Sequence, residues 1–169
     1  MKSTWHWRSA AGPDVQHIVA MAQRHFETEI DQVFEPDPIV YARNITQAVV
    51  NQFYNPGSEL IQVAQCCQSD RVLGYVWASR GERAAWSDQE MVMVRMVHVD
   101  LDLGVRQRIR MITEMIEIWE TWAQRYHIEI VCSTTMRHDQ TAFLRIHSRC
   151  GYDVRGSYCY KKVNLSVDL

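Results

Sequence analysis

The chain has 169 residues, of which 47% are apolar, 10% aromatic and 22% charged, with a formal net charge of −2. This composition is that of a packed globular protein and excludes disordered, collagen-like and low-complexity chains. The near-neutral balance gives no electrostatic basis for binding nucleic acid or an anionic membrane.

No apolar run approaches the roughly 20 residues of a membrane span. The opening MKSTWHWRSA has no apolar segment of the signal-peptide kind. A cytoplasmic protein folding as one domain over residues 1–169, with its core at about 5–163, is expected. The five cysteines are odd in number and contain no CxxC pair, which favours free thiols in a reducing compartment and predicts no metal site.

In chain order, residues 5–10 alternate aromatic and polar and predict a first strand. Gly12-Pro13-Asp14 then breaks the chain and offers Asp14 as a helix cap. Val15, Ile18, Val19, Ala22 and Phe26 recur at helical spacing. Asp37 precedes a second helix over 39–53, closed by the turn Asn55-Pro56-Gly57. Strands follow at 60–67 and 72–79, joined at Ser69-Asp70-Arg71, and then a charged loop over 80–88.

Residues 90–99, EMVMVRMVHV, are nearly continuous in apolar side chains and predict a central strand covered on both faces. Ile109, Ile112, Ile116, Trp119 and Ala123 form a helical stripe widened by Met111, Met115, Ile118 and Trp122, with Arg110 and Glu114 as an i,i+4 pair on its exposed side. A buried strand at 128–133 comes next. A short helix capped by Asp139 or Thr141 then runs to Cys150, with Gly151 at its C′ position. A terminal hairpin over 152–155 and 158–165 completes the reading.

The order β-α-α-β-β-β-α-β-α-β-β predicts an α/β (α+β) fold: a mixed, mostly antiparallel sheet of six to seven strands flanked by about four helices.

This order, together with particular residues, resembles the GNAT superfamily of acyl-CoA-dependent N-acyltransferases. Trp7-Arg8-Ser9-Ala10 through Asp14 and Ile18 is similar to that family's first strand and helix. Leu73-Gly74-Tyr75-Val76 is similar to its third strand, Val97-His98-Val99-Asp100 to the end of its fourth, and Cys150-Gly151-Tyr152 to the Gly-aromatic pair after its last helix.

The resemblance implies acetyl-CoA as co-substrate, an amine acceptor (a small molecule or a protein), and attack of the amine on the thioester. The pantetheine arm would insert between the fourth and fifth strands, on backbone groups of Val97, His98 and Val99. The pyrophosphate would rest on the N-terminus of the next helix, whose unpaired N–H groups and dipole favour anions.

The family's glycine-rich loop is replaced here by Asp100-Leu101-Asp102-Leu103-Gly104-Val105-Arg106-Gln107-Arg108-Ile109-Arg110. Only Gly104 remains of its glycines, Asp100 and Asp102 add negative charge, and Arg106, Arg108 and Arg110 offer phosphate contacts through side chains instead. The resemblance places Glu90 as the general base, and His147 where the family carries a tyrosine that protonates the leaving thiolate. His98 is either close to the acyl site or a satisfied core histidine.

The competing expectation is a GNAT fold that no longer catalyses and serves as a structural or protein-binding module, for example in a phage particle. Its partner surface would include Trp5, Trp86 and Tyr158. A homodimer formed through the C-terminal strands fits either expectation. An open cleft between the fourth and fifth strands favours the enzyme, and a cleft plugged by Met96, His98 or Trp119 favours the module.

Overall fold

The computed structural model describes residues 4–28, 34–137 and 139–156. Five strands are present among them: β1 (Trp5–Ser9), β2 (Glu59–Cys66), β3 (Val72–Arg83), β4 (Glu90–Val99) and β5 (Ile130–Ser133). They form one sheet in sequence order. Neighbours are antiparallel from β1 to β4, and β5 lies parallel to β4. The parallel pair needs a crossover, which the helix α3 (Val105–Arg125) supplies. Helices α1 (Val15–Thr28), α2 (Pro38–Tyr54) and α4 (Thr141–Arg149) complete the described structure.

Short-range chemistry sets the helix ends. Asp14 closes a 3₁₀ turn by accepting the Ala11 N–H at 2.8 Å, and its two oxygens take the Arg8 guanidinium at 2.7 and 2.8 Å. Asp37 caps α2 by accepting from the N–H groups of Ile39 and Val40. Asp139 accepts from the N–H of Thr141 at the start of α4. At the end of α4, Gly151 takes φ 87°, a left-handed conformation costly for any residue with a Cβ.

Two apolar layers sandwich the sheet. One lies under α3, where Met111, Met115, Ile116, Trp119, Trp122 and Ala123 pack on residues of all four antiparallel strands. The other lies under α1 and α2, where Ile18, Ala22, Ile45 and Ala48 meet Ile61, Val63, Val72 and Tyr75. Of the expected α3 stripe, Ile109 is exposed instead of buried, because the helix start overhangs a cleft rather than the sheet.

The expected six to seven strands reduce to five among the described residues. Residues 152–155 form no strand: Tyr152 turns inward, its hydroxyl accepts the Trp119 indole N–H at 2.7 Å, and its ring closes the α3–α4 layer. The other half of that hairpin, 158–165, and Cys159 lie outside the described residues, as does Tyr158. Conversely, the loop expected from residue 80 begins later. Gly81, at φ 99°, lets β3 bulge and resume its ladder at Glu82↔Met91 and Arg83↔Glu90.

Candidate functional site

The strand pair β4–β5 ends at Val94↔Ser133, while β4 continues to Val99. A β-bulge falls at the same place: the register with β3 passes from Ala78↔Val94 to Trp77↔Met96, leaving Arg95 as the extra residue. The bulge bends β4 and reverses the side-chain alternation beyond it. Val92 and Val94 face α3 before the bulge, Val97 and Val99 face it afterwards, and Met96 joins the α1–α2 layer. Arg95 itself is held outward by Glu82, at 2.7 Å, and by the Ser79 hydroxyl, at 2.7 Å.

Where the strands part, a cleft of about 370 Å³ opens. Its walls are residues 94–99 of β4, residues 134–137 after β5, the first two turns of α3, and α4. Met96, His98 and Trp119 border the cleft without filling it.

At one end stands the N-terminus of α3. Gly104 occupies the cap position, so no side chain covers the first-turn N–H groups, and that turn contains no acidic residue. Gly104 donates its own N–H to Gln107 Oε1 at 3.1 Å. Arg108 borders the cleft, and Arg106 is exposed on the first turn. Arg110 points elsewhere, with its Nε 2.8 Å from Glu114 Oε1 and its guanidinium 5.1 Å from the Trp5 ring centre.

Trp5, expected on a partner surface, is buried at 3% exposure. Its indole N–H donates to Glu114 at 2.7 Å, beside that of Trp7 at 2.9 Å. Burial alone would raise the Glu114 carboxyl, but the two indoles and Arg110 bring it below its usual value. Trp86 is exposed as expected.

Asp100 and Asp102 do not face the cleft. Asp100 is buried and bonded to Arg71, with Arg24 at 3.7 Å, and accepts the Asp102 N–H at 3.0 Å. Asp102 takes Arg24 at 3.2 Å and Arg71 at 3.1 Å. Both carboxylates are thus neutralised behind the loop and fasten it to α1 and to the β2–β3 turn. No sequence signal announced this clamp, because Arg24 and Asp102 lie 78 positions apart.

Glu90 is not brought to the cleft. It sits at the far end of β4, opposite Arg83, and Arg80 holds its two oxygens at 2.6 and 2.7 Å. That paired guanidinium keeps its carboxyl below the usual range.

His147 does border the cleft, at 3% exposure. Its Nδ1 lies 3.0 Å from the Phe143 carbonyl oxygen and its Nε2 3.0 Å from Ser133 Oγ. A carbonyl oxygen only accepts, so Nδ1 carries the proton, and in the neutral ring Nε2 accepts the Ser133 hydroxyl. Burial lowers its pKa, against the opposing pull of the Phe143 carbonyl.

His98, Val97 and Val99 all border the cleft. His98 is a buried ring, but not a satisfied one, since its Nδ1 has no hydrogen-bond partner. The free thiols Cys66, Cys67, Cys132 and Cys150 take no part in the cleft wall.

No family model and no curated sequence matches the chain. Solved structures do. An aminoglycoside N-acetyltransferase in complex with CoA superposes with a TM-score of 0.70 at 11% identity, over 96% of this chain and 97% of that one. Glucosamine-6-phosphate N-acetyltransferase from Arabidopsis thaliana gives 0.68 at 11% identity, over 96% and 100%. A predicted acetyltransferase with acetyl-CoA from Clostridium acetobutylicum gives 0.65 at 11% identity, over 95% and 96%. The chain has the GNAT acetyltransferase fold.

Proposed function

We propose that the chain takes an acetyl group from acetyl-CoA and passes it to a primary amine by direct attack in a ternary complex. The observation that carries this reading is the splay of β4 from β5 beyond Val94↔Ser133, with an uncapped helix N-terminus at one end of the resulting cleft. Its neighbours in fold, solved with CoA or acetyl-CoA, support it.

The geometry above supports a role for each residue. Backbone groups of Val97, His98 and Val99, beyond the last β4–β5 pair, hold the extended pantetheine arm as an added strand would be held. The first-turn N–H groups of α3 receive the pyrophosphate, with Arg106 and Arg108 supplying the positive charge that side chains can offer. The departing thiolate needs no strong acid, because an ordinary alkyl thiol has a pKa of about 8.5. His147 donates to it only as the imidazolium, the form that burial disfavours. If it supplies that proton, His147→Ala lowers kcat; unchanged turnover removes it from the reaction.

Calorimetric titration of acetyl-CoA tests the reading. Micromolar binding by the wild type, weakened about tenfold or more in an Arg106→Ala/Arg108→Ala double variant, is the expected result. A folded protein that does not bind millimolar acetyl-CoA overturns it.

A further inference from the structure

His98 Nδ1 is the one buried side-chain nitrogen or oxygen among the described residues that lacks a hydrogen-bond partner. The ring is 2% exposed, and leaving such an atom unsatisfied forfeits its hydration without a compensating bond. Native structures carry that cost where a ligand, a water or a proton completes the site.

The groups around the ring are specific. From α1 come His25, with ring centres 4.3 Å apart, and Phe26 at 5.7 Å. From β3 comes Tyr75 at 5.4 Å, its hydroxyl 2.7 Å from that of Tyr41 on α2. From the segment after β5 comes Arg137, with Nη2 3.3 Å from His25 Nδ1.

His25 Nε2 lies 2.7 Å from the Val99 carbonyl oxygen, which can only accept, and its Nδ1 lies 3.3 Å from the Arg137 guanidinium. The two tyrosine hydroxyls satisfy one another, and burial pushes both pKa values up. His98 Nδ1 is left as the ring nitrogen without a hydrogen-bond partner. The residue borders the cleft beside the backbone that the proposed function assigns to the thioester arm.

We infer that His98, not Glu90, receives the proton of the attacking amine. The inference rests on the acetyltransferase reading. The amine lone pair forms the N–C bond to the thioester carbonyl carbon. The C–S bond breaks, and its electron pair leaves with sulfur. The proton shed by nitrogen passes to the His98 imidazole, directly or through one water. The thiolate takes a proton from solvent, and His98 returns its own. Burial, His25 and Arg137 lower its pKa well below the ordinary value, so the ring is neutral and ready at neutral pH and releases the proton readily afterwards.

The test uses acetyl-CoA with hydroxylamine, a primary amine nucleophile small enough to enter the cleft whatever the natural acceptor. Rates of acetohydroxamate formation are measured from about pH 5 to 9 for the wild type, His98→Asn, His98→Gln and Glu90→Gln. The expected result is a fall in kcat of about a hundredfold in both His98 variants, with KM for acetyl-CoA unchanged. The wild-type to His98→Asn rate ratio should shrink as the pH falls through the His98 pKa. That shrinkage cancels the nucleophile's own titration, and a merely structural role would not produce it.

Wild-type kcat and an unchanged ratio in either folded His98 variant would overturn the inference. So would a pH-dependent loss found in Glu90→Gln instead. Calorimetry on the same samples separates the two levels. Acetyl-CoA binding without transfer sinks the His98 role, whereas no binding sinks the acetyltransferase reading itself.

Discussion

Gly74 and Met111 touch where no side chain fits between them. A Cβ at Gly74 would lie 2.5 Å from Met111 Sδ, 3.1 Å from Met115 Cε and 3.1 Å from the His98 carbonyl oxygen. Met111 and Met115 are fully buried, and the third neighbour is backbone. The missing side chain lets α3 settle on β3 directly behind the last turn of β4.

Gly74→Ala should therefore destabilise by about 1–3 kcal/mol, a fall in thermal midpoint on the order of 5 °C. A midpoint equal to that of the wild type would show that the helix can shift, and would remove this contact as a reason for the glycine.

The clamp behind the α3 start predicts an indirect effect on ligand binding. Asp100→Asn loses the charge that Arg24 and Arg71 share, freeing the loop that places Gly104 and the first turn of α3. Weaker acetyl-CoA binding is expected by calorimetry, together with a lower thermal midpoint, although Asp100 does not border the cleft. Wild-type affinity would show that the helix alone positions its N-terminus.

Arg108 and Arg110 at the α3 start should separate. Arg110 is committed to Glu114 and the Trp5 ring, so Arg110→Ala should leave acetyl-CoA affinity near wild type. It should cost on the order of 0.5–1 kcal/mol of stability. Arg108→Ala should do the reverse. Equal losses of affinity in both variants would contradict this division.

Stability should respond to pH through two of the three buried imidazoles, His98 and His147. Burial lowers the pKa of both His98 and His147, the first helped by His25 and Arg137 and the second opposed by the Phe143 carbonyl. Below the unfolded value of about 6.5, the unfolded chain takes up protons that the folded chain refuses. This contribution is therefore complete above about pH 6.5 and is lost as the pH falls towards the folded values.

The lowered carboxylates Glu90 and Glu114 lose theirs in a separate window, below about pH 4.3. Thermal midpoints should decline from about pH 7 to 5, and His98→Asn should flatten that decline. A wild-type midpoint that is level across the window would show that neither ring resists protonation.

The sequence by itself determined what near neighbours along the chain control. Asp37 caps its helix as its position indicates, Gly151 ends α4, and the apolar run at 90–99 forms an interior strand between β3 and β5. Such features arise from contacts within a few residues, or from a periodicity that any single segment displays.

Tertiary structure alone decided which side chains face the cleft. Arg95 became a bulge because β3 and β4 found their register through packing, and that one residue turned the alternation of Val97, His98 and Val99. Trp5 was drawn inside by Glu114, 109 positions away, and Glu90 was taken by Arg80 across the sheet.

His147 and Ser133 met only when α4 folded over the end of β5. His98 Nδ1 was buried without gaining a hydrogen-bond partner. Charge and burial at a site depend on groups that sequence distance does not rank. The geometry of the cleft is therefore a property of the packed sheet rather than of any motif within it.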